Sequence, residues 1–473
     1  AAAQVIPSVN TRPGARGVIY VDFDGESVTD PVWNGGRTIN AAPSLLSSDQ
    51  IIQVLNNASQ DWAPFDVTLT TDASLYASTA AGLRMHVVVT PTDTAAPGSG
   101  GVAYTDSWSG AGRGFRSDVV CWVFNQSVKS VSEAVSHEVG HTVGLNHDGQ
   151  TGGVEYYGGH GGGLSTPTSW APIMGAGYSK SLVQWSKGEY AKANNTEDDL
   201  AIIGKDANKF GFLKTDMLNG IRALPVTGST FKADGLLRMS ASVDTYKFRT
   251  TGGQLLATVV ATNAESDVDV QLELQDANGA TVVLSDLPDA LSASINKAIT
   301  PGDYSLIVRP AGTGAKPAGG YTTGYSSYGS VGRYSLSGSL QGIVAPPVFT
   351  SPTSVLGSSG TPLTFAVGVT AGSTVTVSSD SRLPAGLSFN AQTLILSGTP
   401  TQATGSGTLG AADGPGLLRL TATNGSGSTN VDIVINISNG GLPLSDAFLG
   451  NPTSTTPAAP WLGVTLKKAD GTT

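Results

Sequence analysis

The chain of 473 residues contains one cysteine, Cys121, and few charged residues. A single cysteine excludes an intramolecular disulfide. Charged residues make up 13% of the chain, and no stretch gathers enough Lys and Arg to neutralise a phosphate backbone. We therefore expect no nucleic-acid partner. The apolar runs fall far short of the roughly 20 residues that a membrane helix needs, so we expect no membrane span.

Glycine, by contrast, is abundant at 61 residues, and hydrophobic residues reach 39%. This composition can form several packed cores and favours turn-rich β-domains over long helices. The chain begins Ala-Ala-Ala-Gln without an initiator methionine, as a chain does after a signal peptide or pro-segment has been removed. Together with the lack of disulfides, this start favours a bacterial protein that is secreted and extracellular.

Residues 1–222 differ from the rest of the chain because they contain all five histidines. Their apolar periodicity predicts an α/β domain with a mixed sheet. The expected elements are strands at 17–24, 65–69, 83–89 and 119–124, an edge strand at 101–106, a helix that Ser48 caps, and a helix to Leu145 that Ser130 and Glu133 cap.

Short alternating strands separated by turns replace this pattern farther along the chain. We expect residues 223–345 to form one β-sandwich, and residues 346–438 to form another after the pair Pro346-Pro347. Residues 439–473 are rich in Pro, Thr and Gly, and we interpret them as a tail or an incomplete domain. The predicted fold class is multidomain, with an α/β domain that carries an active-site helix followed by two all-β sandwiches.

The residues that can carry chemistry are concentrated in the segment SHEVGHTVGLNHDG, residues 136–149. On a helix, His137 and His141 lie one turn apart on the same face, so both imidazoles can bind one metal ion. Gly144 can end that helix and reverse the chain, which returns His147 as a third ligand. Three histidines leave the fourth position for water, which is typical of a catalytic zinc site.

Glu138 directly follows the first histidine, where its carboxylate can act on that water as a general base. By composition alone, the pattern His-Glu-x-x-His-x-x-Gly-x-x-His arises on the order of once in a million such chains. The alternative third ligand is a downstream glutamate, Glu155 or Glu189, which His147 makes unnecessary.

With this motif, the sequence resembles the metzincin clan of zinc endopeptidases. Ala171-Pro-Ile-Met174 is similar to the Met-turn of that clan, and Asp148 after the third histidine matches its adamalysin or reprolysin-like branch. The resemblance covers residues 17 to about 205 and suggests a bacterial secreted branch. It implies zinc on His137, His141 and His147, a catalytic base at Glu138, and Met174 in a hydrophobic floor beneath the metal.

One departure from the clan concerns a tyrosine. Astacin- and serralysin-type members carry it two residues after the Met-turn methionine, where this chain has Ala176, and Tyr178 lies two residues farther on. In metzincins the segment between the third ligand and the Met-turn borders a substrate pocket. The candidate substrate-side residues are therefore Tyr156, Tyr157 and His160 in that segment, and Tyr178 is a further candidate after the Met-turn.

The later domains carry resemblances of their own. Residues 242–248 (SVDTYKF) and 301–306 (PGDYSL) resemble the bacterial pre-peptidase C-terminal β-domain. Residues 383–389 (LPAGLSF) and 396–400 (LSGTP) resemble bacterial putative Ig domains. Such modules accompany secreted hydrolases, so the resemblance implies a role in secretion or in binding to a surface or matrix.

The sequence as a whole predicts a secreted zinc metalloendopeptidase that acts on protein or peptide substrates. The alternative is a surface adhesin or glycan-binding protein that keeps a metalloprotease-like scaffold; Glu138 argues against it, because a structural zinc site needs no base. Calcium is a second candidate ion at Asp22, Asp24 or residues 194–199. None of these has the spacing of a calcium loop, so turn and cap roles are favoured there, and we expect His86 to be structural.

Overall fold

The computed structural model describes residues 5–110, 119–214, 220–263, 265, 267–370, 372–404 and 416–438. The chain divides into two compact units, Ala1–Ala345 and Pro346–Thr473. The segment interpreted as a tail, residues 439–473, lies outside the described residues.

The first half of unit 1 alternates strands and helices. Its elements are β1 Gly17–Asp22, β2 Ser27–Val28, β3 Ile39–Asn40, α1 Ser48–Asp61, β4 Val67–Thr70, α2 Ala73–Ser78, β5 Arg84–Val89, β6 Gly101–Val102, β7 Cys121–Val123, α3 Val128–Thr142, β8 Trp170–Pro172, β9 Leu182–Gln184 and α4 Asp199–Ile203. Short 3₁₀ turns lie at Asn34–Gly36, Gly177–Ser179 and Asp206–Asn208.

The main sheet of this region has the strand order β4-β1-β5-β7-β6. Strands β4, β1, β5 and β7 are parallel, and β6 pairs antiparallel with β7 at the edge. The predicted mixed sheet and its edge strand are therefore confirmed, although β6 is shorter than expected. Helices α1 and α3 pack against each other and bury their apolar side chains in one core with β1 and β5.

Both predicted helix caps were wrong by a few residues. Helix α1 is capped by Ser47, whose Oγ accepts the Gln50 N–H at 3.3 Å while the Gln50 side chain accepts the Ser47 N–H at 2.9 Å. Helix α3 is capped by Ser127 together with Ser130. Glu133 is instead bound to Lys129 at 3.0 Å, one helical turn earlier. In both cases neighbouring serines fit the same cap pattern, and packing of the helix decides which of them lies at its end.

The second half of unit 1 is a β-sandwich. Its strands are β10 Ile221–Ala223, β11 Val226–Thr227, β12 Thr230–Leu237, β13 Asp244–Thr250, β14 Gly253–Ala261, β15 Val270–Asp276, β16 Thr281–Ser285, β17 Ala293–Ile299, β18 Gly302–Pro310, β19 Gly332–Leu340 and β20 Ile343–Val344. One sheet has the order β10-β13-β18-β15-β16, with β20 paired to β13, and the other has the order β11-β12-β19-β14-β17. Alternate side chains of the two sheets form a separate core.

The α/β region and the sandwich also share buried side chains. Tyr328 and Val331, from the loop between β18 and β19, belong to the core that contains α1 and α3. The predicted boundary after residue 222 lies inside this compact unit and stays a prediction. Removing the sandwich would take two side chains out of the core beneath the active-site helix.

Unit 2 is a smaller β-sandwich. Its strands are β21 Ser354–Ser358, β22 Leu363–Ala366, β23 Thr374–Val377, β24 Leu387–Asn390, β25 Ile395–Gly398, β26 Leu417–Asn424 and β27 Gly427–Ser438. They form sheets of order β21-β27-β26-β23 and β22-β25-β24 around a core of Val, Leu and Ile side chains. In the part of the chain that the structure describes, no helix is long and apolar enough to cross a membrane.

The cap of α1 gives a stability prediction. Ser47→Ala removes the side chain that satisfies a free N–H at the start of the helix, and we expect it to lower the free energy of unfolding by about 1 kcal/mol. The matched control is Ser48→Ala, whose hydroxyl donates to Val5 O on the surface. Urea unfolding of both variants measures the difference. A larger loss in Ser48→Ala than in Ser47→Ala would contradict the observed cap.

Candidate active site

Helix α3 carries two histidines whose rings are oriented by hydrogen bonds from Nδ1 to backbone carbonyls. His137 Nδ1 lies 2.9 Å from Ile173 O, and His141 Nδ1 lies 2.8 Å from Leu145 O. Because a carbonyl only accepts, each Nδ1 carries the hydrogen and each Nε2 keeps a lone pair. The two ring centroids are 4.9 Å apart. Each Nε2 is therefore the atom available to a metal ion.

The third imidazole comes from the chain reversal after α3. Gly144 has a φ of +114°, and a side chain there would meet Asp106 and Lys205 at 2.6 Å, so the turn requires glycine. His147 Nδ1 donates to Glu155 Oε1 at 3.0 Å, which turns its Nε2 toward His141 Nε2, also at 3.0 Å. The nitrogens of His137, His141 and His147 all lie within 4.8 Å of one another.

This arrangement fits a metal ion. If Nδ1 carries the hydrogen in both His141 and His147, the two Nε2 atoms face each other at 3.0 Å with no hydrogen between them. A cation that accepts both lone pairs removes this conflict. Burial also lowers the pKa of His137 to about 3 and that of His141 to about 4, and it lowers the pKa of His147. The three rings are thus neutral at pH 7, which is the form that binds a metal.

Glu138 directly follows His137 on α3 and is only 6% exposed. Its Oε2 makes no hydrogen bond to the described residues, and burial raises the pKa of its carboxyl to about 8. A buried carboxylate oxygen without a partner is costly, so it fits a site at which a water molecule or a substrate proton is bound. Gly101 of β6 lies directly against this carboxylate, because a Cβ there would be 2.7 Å from Glu138 Cγ and Oε1.

Met174 and Tyr156 lie close to the histidines. Met174 is fully buried, and its carbonyl accepts the N–H of Asp148, the residue after the third histidine, at 2.8 Å. Tyr156 is 44% exposed, and its ring centroid lies 4.3 Å from that of His147. The structure thus brings Tyr156 to the exposed side of the three histidines.

The other predicted substrate-side residues make different contacts. Tyr157 OH donates to His160 Nδ1 at 2.8 Å, and His160 Nε2 donates to Gly324 O of the sandwich at 2.6 Å. These two side chains therefore bond to each other and to the loop between β18 and β19, rather than to the group of three histidines. Tyr178 OH accepts from Asn125 at 3.4 Å, and its pKa is raised by burial and by nearby Glu138.

Neither glutamate considered as an alternative third ligand, Glu155 or Glu189, offers an oxygen to the metal-sized group formed by the three histidines. Glu155 bonds to the outer nitrogen of His147, and Glu189 accepts a hydrogen bond from Ser326. Sequence reasoning missed the orienting role of Glu155, the Ile173 carbonyl on His137, and the contact of Gly101 with Glu138. These contacts join residues that no local motif links.

The calcium candidates have partners in the protein. Asp22 bonds to His86 at 3.1 Å, as expected of a structural histidine, and Glu26 lies close enough to form a second metal-sized group with them. In the segment 194–199, Asp198 caps α4 and Asp199 accepts the Ser186 N–H at 2.8 Å. Calcium binding gains no support, and the cap role is observed at Asp198.

Three imidazoles whose ligand nitrogens lie within 4.8 Å of one another, with a buried carboxyl on the same helix as two of them, fit a catalytic metal centre. Comparison with known proteins relates two segments of the chain to described families. Residues 49–148, from α1 to the residue after the third histidine, match the family described as "Metallo-peptidase family M12B Reprolysin-like". Residues 346–438 match the family "Putative Ig domain". The chain therefore carries a reprolysin-like metallopeptidase domain in unit 1 and an Ig-like domain in unit 2.

Solved structures resemble only parts of the chain. A putative α-galactosidase from Bacteroides fragilis is 25% identical over 20% of this chain and 18% of its own, with a TM-score of 0.16. The pre-peptidase C-terminal domain of a collagenase from Bacillus anthracis is 15% identical over 26% of this chain and 99% of its own, with a TM-score of 0.18. The M60 catalytic domain with CBM51 domains from Clostridium perfringens is 11% identical over 46% and 21%, with a TM-score of 0.18.

These TM-scores are too low to support an argument about function. The chain also spans less than a fifth of the length of the α-galactosidase that it matches. No curated protein matches the chain.

The three histidines give a prediction about metal content. We expect the purified chain to hold a divalent metal ion that His141→Ala loses, because removing one of three ligands leaves a weak two-ligand site. The matched control is His86→Ala, which changes a histidine that bonds Asp22 instead. Elemental analysis of the three proteins measures the metal. A full equivalent in His141→Ala would show that the ion is bound elsewhere.

Proposed function

We propose that this chain is a secreted zinc endopeptidase that hydrolyses peptide bonds of proteins. The observation that supports this most strongly is the pairing of three converging, neutral imidazoles with a buried carboxylate that has an unpaired oxygen. A site that only held a metal for stability would have no use for that carboxylate. The adhesin alternative gains no corresponding observation. Secretion belongs to the proposal and rests on the Ig-like domain, a kind of module that accompanies secreted hydrolases.

The histidines and Glu138 divide the chemistry between them. His137, His141 and His147 would hold the zinc, which supplies polarisation of the scissile carbonyl and acidification of a water molecule. Glu138 accepts a proton from the attacking water and delivers it to the leaving amine. Burial raises the pKa of Glu138, which makes its carboxylate a stronger base, and the positive charge of a bound zinc ion would favour the ionised form that first accepts the proton.

Strand β6 is placed to bind an extended peptide. Among the described residues it pairs only with β7, at the end of the sheet order, and Gly101 brings its backbone against Glu138. A substrate that adds to this edge by backbone hydrogen bonds would pass beside the base with little demand on its sequence. We infer a broad preference for unfolded or flexible protein segments.

The first test of the mechanism is Glu138→Gln. This change keeps the size of the side chain and all three imidazoles, but it removes the group that accepts the proton. We expect full zinc content, a near-normal melting temperature and a loss of at least 10²–10⁴-fold in kcat on a casein substrate. Near-normal turnover with full zinc would mean that another group is the base. Loss of zinc would mean that Glu138 helps to hold the metal.

The second test uses the close approach of β6 to the base. Gly101→Ala places a methyl group 2.7 Å from the Glu138 carboxylate and from Trp122 O of β7, so it must displace one or both. We expect a loss of about 10²-fold in kcat/KM with zinc retained, as a 1 Å misplacement can cause. Gly163→Ala is the matched control, because a Cβ there meets nothing closer than Ser179 O at 3.8 Å. Peptide hydrolysis and metal analysis measure the two effects. Equal activity in the two variants would show that β6 does not determine the position of the base.

A further inference from the structure

The loop between β18 and β19 makes backbone hydrogen bonds to the α/β half of unit 1, which contains the candidate active site. Tyr321 O accepts the Ala191 N–H at 2.8 Å, and the Tyr321 N–H donates to Glu189 O at 2.9 Å. Gly320 makes this approach feasible, because a Cβ there would lie 2.6 Å from the Tyr190 carbonyl. The two segments thus form a short parallel β-bridge between Tyr190 and Tyr321.

Tyr190 connects this pairing to the residues after the third histidine. Its hydroxyl donates to Gly149 O at 2.7 Å, and its ring stacks on Tyr157 with centroids 4.6 Å apart at 11°. The Tyr157 N–H in turn donates to Asp148 O at 2.7 Å. These hydrogen bonds therefore hold the backbone at Asp148 and Gly149, one and two residues after His147.

The loop has further attachments of the same kind. Gly324 O accepts from His160 Nε2, and Ser326 donates to the Glu189 carboxylate. Tyr328 OH donates to Asp198 at 2.7 Å and accepts the N–H of Leu200 in α4 at 2.8 Å. These contacts are buried or half-buried, and Tyr328 itself lies in the core that contains α3.

We propose that residues 320–331 of the sandwich are positioning residues of the catalytic centre, and we name them the strap. His137 and His141 are fixed by their helix, whereas His147 lies on a loop that has no secondary structure to hold it. The strap supplies that support through Tyr190 and His160. Partners that orient metal ligands commonly change metal affinity or activity by 10–100-fold. The catalytic part of this proposal rests on the proposed function, while the effect on metal retention does not.

The main test compares two glycines of the sandwich that both have positive φ. Gly320→Ala, at φ +84°, forces a methyl group into the Tyr190 backbone, whereas Gly279→Ala, at φ +80°, meets no atom within 4 Å. The backbone strain is therefore matched, and only the contact with Tyr190 differs. We expect Gly320→Ala to release zinc to a chelator 10–100-fold faster than wild type, and Gly279→Ala to stay within about twofold.

A second variant isolates the link itself. Tyr190→Phe keeps the ring that stacks on Tyr157 and removes the hydroxyl that binds Gly149 O. We expect an unchanged melting temperature but faster zinc release and a lower kcat on a peptide, with KM changing less. A merely structural role would lower the melting temperature without this split. If Gly320→Ala does not fold, Tyr190→Phe decides the question alone.

The outcomes separate this proposal from the proposed function. Wild-type zinc release in folded Gly320→Ala or, should that variant not fold, in Tyr190→Phe overturns the strap, whatever the activity. Faster release in the variants, together with a wild-type chain that retains zinc but cleaves no peptide, supports the strap and contradicts the peptidase. Faster release with a matching fall in kcat supports both.

Discussion

An imidazole can direct one nitrogen at a metal ion only if something holds its other nitrogen. In this chain each of the three histidines meets that condition differently: His137 through the Ile173 carbonyl, His141 through the Leu145 carbonyl in the turn after α3, and His147 through Glu155. The position of the Met-turn, the end of α3 and the loop after it all follow from this requirement. The two Nε2 atoms that face each other at 3.0 Å are the result, and they explain why a cation belongs there.

Burial controls the protonation of this centre. The same exclusion of water that keeps the imidazoles neutral makes it costly to ionise Glu138. The imidazoles are thereby in the form that binds a metal, whereas Glu138 would need a nearby cation to favour its ionised form near pH 7. In the proposed mechanism, Gly101 has no side chain, so Glu138 can be buried and still lie next to a peptide bound at β6.

Local features of the site could be predicted from the sequence, whereas its supports could not. Helical spacing places His137, Glu138 and His141 together, and a glycine turn returns His147, so a short motif contains enough information. The caps of α1 and α3 were misplaced because adjacent serines offer equivalent patterns, and packing decides between them. The contacts of Ile173 with His137 and of Tyr190 with Gly149 join residues about 40 positions apart, which no periodicity reveals.

Because Tyr328 and Val331 belong to the core around α3, that core is completed late in the synthesis of the chain. A growing chain that has reached residue 300 contains every ligand and the base, but it lacks two of the side chains that complete that core. Val331 is made roughly 180 residues after His147, which at about 5–20 residues per second is a delay of roughly 10–40 s. The core around α3 is therefore completed only after the loop between β18 and β19 has been made, although all three histidines and Glu138 precede that loop by more than 150 residues.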